Sequence, residues 1–172
     1  MTFTITRSAL IIVDLMPRLV AQNFGPHRGV DVVARATRLA AAWRQACGTV
    51  VLVRVDRPGV AEQPPGSDFV PELQPQPGDV VVVKRTIGAF YGTGLADRLH
   101  ERAVDTVVLA GLATTMGVES TARAAADHGF QVLFAADAMS GLTATEHDHA
   151  LTVVLPRFGE VLTTDALLSR MP

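Results

Sequence analysis

The sequence predicts an α/β fold: a three-layer α/β/α sandwich around a mostly parallel, Rossmann-like sheet of about six strands. Three observations carry this. Apolar runs rich in Val, Ile and Leu recur along the chain, they lack polar alternation, and segments of helical period separate them. A run without alternation is what a strand buried on both faces requires, and parallel strands covered by helices are buried in that way.

The elements follow in order. ALIIV (9–13) ends at Asp14 and is too short for a signal-peptide core or a membrane span, so it reads as a buried strand. A helical pattern runs from Val30 to Ala46, with Gly48 as its stop. VVLVRV (50–55) and VVVV (80–83) are the second and third strands, and Gly94–Arg102 is a short helix. TVVLA (106–110) is the fourth strand, and a helix over Thr115–His128 stops at Gly129. QVLFA (131–135), a helix over Thr143–Leu155 and a weaker EVLT (160–163) complete the pattern. The stretch Arg57–Asp79 carries six prolines and no period. A loop of this length in a compact domain is usually functional, and ordered coil passing near the site is expected. No internal repeat divides the 172 residues, so residues 1–172 are expected to form a single domain.

Composition narrows the function classes. A net charge of −2, scattered arginines and few aromatics (seven Phe, one Tyr, one Trp) offer neither a footprint for phosphate backbones nor a stacking platform. No nucleic acid and no membrane partner is expected. The single cysteine, Cys47, excludes an internal disulfide framework and suits a reducing compartment, so a cytoplasmic location is expected. Cys47 stands where the long helix leads into the second strand, at the amino end of the sheet, and reads as an inert buried thiol. Gly92 to Asp97 imitates the start of a dinucleotide fingerprint but lacks its third glycine and does not directly follow a strand. His147 and His149 are two apart on a helix, and His27, His100 and His128 have no partner at metal-ligand spacing.

Ligands of an open parallel sheet bind outside the carboxyl ends of its strands. The first strand ends in Asp14 and the third in Lys84; the fourth runs through Gly111 into Thr114, Thr115, Met116 and Gly117 at the start of a helix. A carboxylate, an ammonium and the N–H groups of a helix N-terminus therefore converge on one edge. The alternatives are a turn residue for Asp14 and a lysine snorkelling to the sheet edge for Lys84.

These residues stand in three segments: LIIVDLMPRLV, VVVKRTIGAFYGTGL and TVVLAGLATTMGVESTARAAADHGFQVLFAADAMS. In order and spacing they resemble the signature segments of the isochorismatase-like hydrolases, the cysteine hydrolase or nicotinamidase-related superfamily, from Ser8 to Leu168. The resemblance implies an aspartate ending the first strand, a lysine ending the third, and a cysteine in the pattern G-x-x-T-x-x-C-V-x-x-T. Here the pattern reads Gly111, Thr114, Gly117, Val118, Thr121, so glycine stands at the cysteine position. Glycine cannot form the thioester through which the amidases of the superfamily work. The segment VRVDRPG also lacks the histidine that accompanies an aspartate in the metal site of nicotinamidases, so no metal and no cofactor is expected. In one branch, the true isochorismatases, glycine occupies this position and the enol ether of isochorismate is cleaved to pyruvate and a dihydroxycyclohexadiene carboxylate without a covalent intermediate. This chain is shorter than that branch, and it has Met16 where a glutamine is common and Thr115-Met116 ahead of the glycine.

The resemblance thus implies a cysteine-independent hydrolase in which Asp14, Lys84 and Gly117 form the catalytic centre. It would add water to a small organic molecule, an enol ether of isochorismate type or an epoxide. Asp14 would either protonate the substrate or activate water. Lys84 favours the carboxylate, whereas burial or a bound carboxylate substrate favours the acid. N–H groups around Met116 to Val118 are expected to receive anionic charge, and loss of the thiol is expected to leave space at Gly117. Leu112, Ala113, Met116 and Val118, with Phe24, Phe90 and Tyr91 just beyond the charged residues, are expected to bind substrate. A cis bond between Leu112 and Ala113 and a homo-oligomer are further implications. The alternative is a non-catalytic member that binds a small anion or a partner protein through the same pocket. Contact between Asp14 and Lys84 beside Gly117 is the geometry that favours the enzyme.

Overall fold

A computed structural model describes residues 3–171. Strand β1 (Ser8–Val13) leads through a short helix α1 (Pro17–Val20) into the long α2 (Gly29–Gln45) and back through β2 (Thr49–Val55). The proline-rich coil follows, then β3 (Val80–Lys84), α3 (Leu95–His100) and β4 (Thr106–Leu112). A π-helical turn over Thr114–Val118 opens α4 (Glu119–Asp127), followed by β5 (Gln131–Ser140), α5 (Ala144–His149), β6 (Gly159–Leu162) and α6 (Thr164–Leu168). The six strands pair in parallel throughout, in the order β3-β2-β1-β4-β5-β6.

Every residue of β1 is buried, which is why its sequence shows no alternation. Ala9, Ile11 and Val13 pack toward Leu95 and Leu99 of α3 and Ala122 and Ala125 of α4. Leu10 and Ile12 pack on the opposite face against Val32, Ala36, Leu39 and Trp43 of α2. A slip of one residue would exchange the two sets, so both cores together define the register. Trp43 buries its ring completely and satisfies its one polar atom, with Nε1–H donating to Ser8 Oγ at 3.0 Å.

Several elements differ from the pattern read in the sequence. The left-handed residue that ends α2 is Cys47 (φ 58°), one residue before the expected Gly48. Cys47 is exposed, because that turn carries its side chain off the end of the helix; the expected buried thiol is therefore corrected. The expected helix from Thr115 begins as a π turn, and the one from Thr143 passes from α5 into a second π turn at Ala150–Val154. Strand β5 extends past its apolar run to Ser140, with a register shift against β4 between Leu109 and Gly111. The coil after β2 is held to the body, with Phe69, Val70 and Leu73 buried and Val70 N–H donating to Leu15 O at 3.1 Å. Among the described residues no helix is long and apolar enough to cross a membrane.

The topology creates one crevice. The chain lays β2 and β3 outward from β1, then returns to place β4 on the other side of β1, so the loops leaving β1 and β4 part company at their carboxyl ends. Close approach there depends on Gly111 (φ 110°): a Cβ would lie 2.1 Å from Val13 O.

Candidate active site

Asp14 is the first residue beyond β1. Its N–H still bonds to Val53 O of β2 (2.8 Å), but its φ of 55° turns the chain out of the sheet, a conformation Asp tolerates better than most residues. Lys84 ends β3, two strands away. Its stem crosses the end of β2 and brings Nζ to 2.7 Å from Asp14 Oδ2, with both side chains buried. The ammonium also donates to Ile87 O (2.6 Å) and, at longer range, to Thr86 O (3.4 Å), so its three donors are engaged. Asp14 Oδ1 is buried and has no hydrogen-bond partner among the described residues. Burial raises the carboxyl above its ordinary value of 3.8, against the opposing pull of Lys84 and then Arg18.

The loop after β4 forms the third side. The Leu112–Ala113 bond is cis, and Ala113 O accepts from both Met116 N–H (3.0 Å) and Val118 N–H (3.2 Å). These two N–H groups are thus used inside the π turn, a correction to their expected part as anion donors. Thr121 clamps the turn, donating to Gly117 O at 2.6 Å and accepting from Ala89 N–H at 3.1 Å. Thr114, fully buried, lies with Oγ1 at 2.8 Å from Nδ1 of the buried His147. A Cβ on Gly117 would stand 2.9 Å from Val13 Cγ1 and 3.3 Å from Asp14 Oδ2. Gly117 is therefore packed directly against the acid, and the space expected at this position is partly filled by Val13.

A cavity of about 470 Å³ opens over this group, a volume suited to a small organic ligand. Asp14, Lys84, Gly117, Leu112, Ala113 and Met116 line it, as does Phe24. Three expected substrate contacts are not among its lining residues. Phe90 turns into the core against His128 and Phe130, Tyr91 is 81% exposed on a separate surface groove, and Val118 is packed under the turn in the core. Phe90 and Tyr91 follow Lys84 closely in sequence, but the coil between Arg85 and Gly94 carries them away from the cavity.

The sequence reading did not single out the cavity's other charged and apolar walls. Arg18, Arg57 and Arg85 line it, together with Ile87 and the exposed Leu142. Arg57 and Arg85 stand just past the ends of two strands, a signal the strand-end rule could have used. Leu142 belongs to the distant loop after β5, which the Gly25–Gly141 bridge ties to the loop bearing Phe24. Asp56 also lines the cavity, but Arg54 holds its carboxylate. Among the described residues no group of three or more His, Cys, Asp and Glu side chains is placed to hold a metal ion. With Arg54 on Asp56 and no histidine beside it, these residues do not fit a metal centre.

The comparisons agree with this architecture. The sequence matches the isochorismatase domain over residues 8–166. It is 37% identical over 182 residues to the isochorismatase family protein YwoC of Bacillus subtilis strain 168, covering 96% of this chain and 94% of that one. It is 34% identical over 180 residues to the family protein YecD of Escherichia coli O157:H7, covering 95% and 96%. The solved structure of an isochorismatase family protein from Burkholderia thailandensis superposes with a TM-score of 0.88 at 34% identity, covering 96% of each chain. Matched over nearly its whole length in sequence and in fold, the chain belongs to the isochorismatase family.

Proposed function

We propose that this protein is a cysteine-independent hydrolase that adds water to a small organic molecule, with Asp14 as its general acid and an enol ether of isochorismate type as the substrate chemistry. One observation carries the reading: Lys84 bonds Oδ2 of a buried carboxyl beside Gly117, while the other oxygen, Oδ1, has no hydrogen-bond partner among the described residues. A proton retained by Asp14 then resides on Oδ1, the oxygen without a cation. Transfer of that proton to the terminal carbon of an enol ether leaves an oxocarbenium ion and an Asp14 carboxylate. Water adds to the cationic carbon, its proton returns to Asp14, and the hemiketal collapses to a ketone and an alcohol. Lys84 stabilises the carboxylate formed at the first step without moving, since its nitrogen is already bonded to Oδ2 and the Ile87 carbonyl.

Product profiling of purified protein against isochorismate, small epoxides and carboxylic amides tests the proposal. The expected result is turnover of the enol ether, abolished in Asp14→Asn. Amide hydrolysis through a covalent enzyme intermediate would overturn it, and epoxide opening alone would make Asp14 the base.

A further inference from the structure

The loop that carries Gly117 is held at both ends by threonine hydroxyls. Thr121 secures the far end through Gly117 O and Ala89 N–H. The near end is secured at Thr114, whose buried hydroxyl meets Nδ1 of His147 at 2.8 Å. His147 comes from α5, 33 positions further along the chain. Among the described residues, neither Thr114 Oγ1 nor the imidazole makes another hydrogen bond. Neither residue lines the cavity, whereas Ala113, Met116 and Gly117 of the loop between Thr114 and Thr121 and its entry do.

Packing alone gives no reason for a histidine here. An aliphatic side chain would fill the space without the desolvation that holds this imidazole's proton affinity below its ordinary 6.5. What the ring adds is direction, because a hydrogen bond fixes the orientation of Thr114 and apolar contact does not. His147 is itself firmly seated. Its N–H donates to Thr143 O at 3.2 Å, and the His27 ring meets it edge-on with centroids 5.7 Å apart. Gly141 lies so close that a Cβ there would stand 3.1 Å from the backbone nitrogen of His147.

We propose that His147 is a positioning residue: through Thr114 it braces the loop that holds Gly117 against Asp14, and it acts on the reaction without touching the substrate. The inference rests on the hydrolase reading for the reaction it serves, while the brace is a property of the loop.

Isochorismate turnover by folded variants tests it. His147→Leu keeps the packing and removes the bond. Its kcat is expected to fall ~10–100-fold with KM within ~3-fold, because the reacting groups are misplaced while the other cavity walls stay. His147→Asn returns a polar atom to the position of Nδ1 and is expected to recover kcat to within ~3-fold of wild type. Thr114→Val/His147→Leu is expected to lose no more than either single change, as for two residues acting through one bond. His149→Leu, at an exposed position of the same helix, is expected to leave kcat unchanged.

A second measurement needs no substrate. In Cys47→Ser/Gly117→Cys protein, thiolate absorbance reads how close the introduced thiol lies to Lys84. Adding His147→Leu is expected to leave about tenfold less thiolate at pH 7, and adding His147→Asn to leave it unchanged. An unchanged kcat or thiolate in His147→Leu, no recovery in His147→Asn, or additive losses in the double variant overturns the brace. If wild-type protein leaves isochorismate intact while the thiolate responds as expected, the enol-ether reading fails and the brace stands. If Asp14→Asn abolishes turnover while His147→Leu keeps kcat, the brace fails and the hydrolase stands.

Discussion

Lys84 reaches over the end of β2 to bond Asp14 Oδ2 at 2.7 Å, joining two strand ends that are not neighbours in the sheet. The pair is enclosed, and its desolvation offsets much of its Coulombic attraction. The pair lies at the crevice, and among the described residues Asp14 Oδ1 has no hydrogen-bond partner.

Asp14→Asn keeps the shape and an acceptor for Lys84 but removes the transferable proton. Turnover is expected to fall ~10²–10⁴-fold, as for other positioned acids. Where Asp14 would be ionised the uncompensated ammonium is expected to cost up to about 3–5 kcal/mol, whereas where Asp14 holds its proton the substitution leaves the charge of the pair unchanged. Steady-state rates alongside urea denaturation separate the two effects; a folded variant with undiminished turnover removes Asp14 from the chemistry.

The pH profile tests the acid assignment. The raised carboxyl holds its proton above the ordinary 3.8, so kcat is expected to be highest on the acid side and to fall as pH rises through the folded value. Stability linked to this group runs in the same direction: it is fullest below the unfolded value and declines through the folded one. A kcat limb that instead climbs with pH, and vanishes in Asp14→Asn, identifies a base.

Restoring sulfur at the loop should not simply restore a cysteine hydrolase. In Gly117→Cys the new Cβ meets Val13 Cγ1 at 2.9 Å, and overpacking is expected to cost about 1–3 kcal/mol. The thiol would lie beside Asp14 and Lys84, and fast alkylation at neutral pH is expected. Mass spectrometry after iodoacetamide treatment reads this out. Native turnover should drop.

Cys47 offers the converse control. It is exposed at the amino end of the sheet, across the fold from Asp14, so Cys47→Ser is expected to change stability by less than about 0.5 kcal/mol. Alkylation of the wild-type protein should label Cys47 and leave turnover within a few-fold. Inactivation by labelling at this residue would contradict the cysteine-independent reading.

Thr114→Val removes the hydroxyl from the buried His147 Nδ1 at nearly constant shape, and a cost of about 1–3 kcal/mol is expected. Burial, and then the charge of His27, hold the His147 proton affinity below its ordinary 6.5. Stability from this neutral imidazole is therefore complete above 6.5 and is lost as pH falls through the window below it. In the Asp14→Asn background, where the opposing contribution of Asp14 is absent, chemical denaturation at pH 5 and pH 8 is expected to show the protein weaker at the lower value.

The strands were legible because burial leaves a plain record: ALIIV and, after Thr106, VVLA are unbroken apolar runs buried on both faces, VVVV stays apolar although it is an edge strand with Val83 exposed, and parallel pairing follows from the helical segments between them. The same logic marked Asp14 and Lys84, which directly follow such runs at the carboxyl edge of the sheet, whereas Gly117 was marked by its place in the pattern that resembles the isochorismatase-like hydrolases. The limits of helices were less legible. The π turns at Thr114 and Ala150 and the left-handed Cys47 depend on how each helix end meets the sheet, which apolar spacing does not encode.

By itself, then, the sequence determined the layering, the parallel sheet and the placement of Asp14 and Lys84 at the carboxyl ends of strands, because each follows from local pattern and strand order, while the family resemblance marked Gly117. Tertiary structure alone decided that Lys84 crosses β2 to reach Asp14, that Phe24 lines the cavity while Phe90 and Tyr91 do not, and that Arg57, Arg85 and Leu142 meet there. The physical reason is that a side chain's direction after a strand ends is set by the turn it enters. Its neighbours are set by crossovers that bring together residues more than a hundred positions apart, as Gly25 and Gly141 are in their paired bridge.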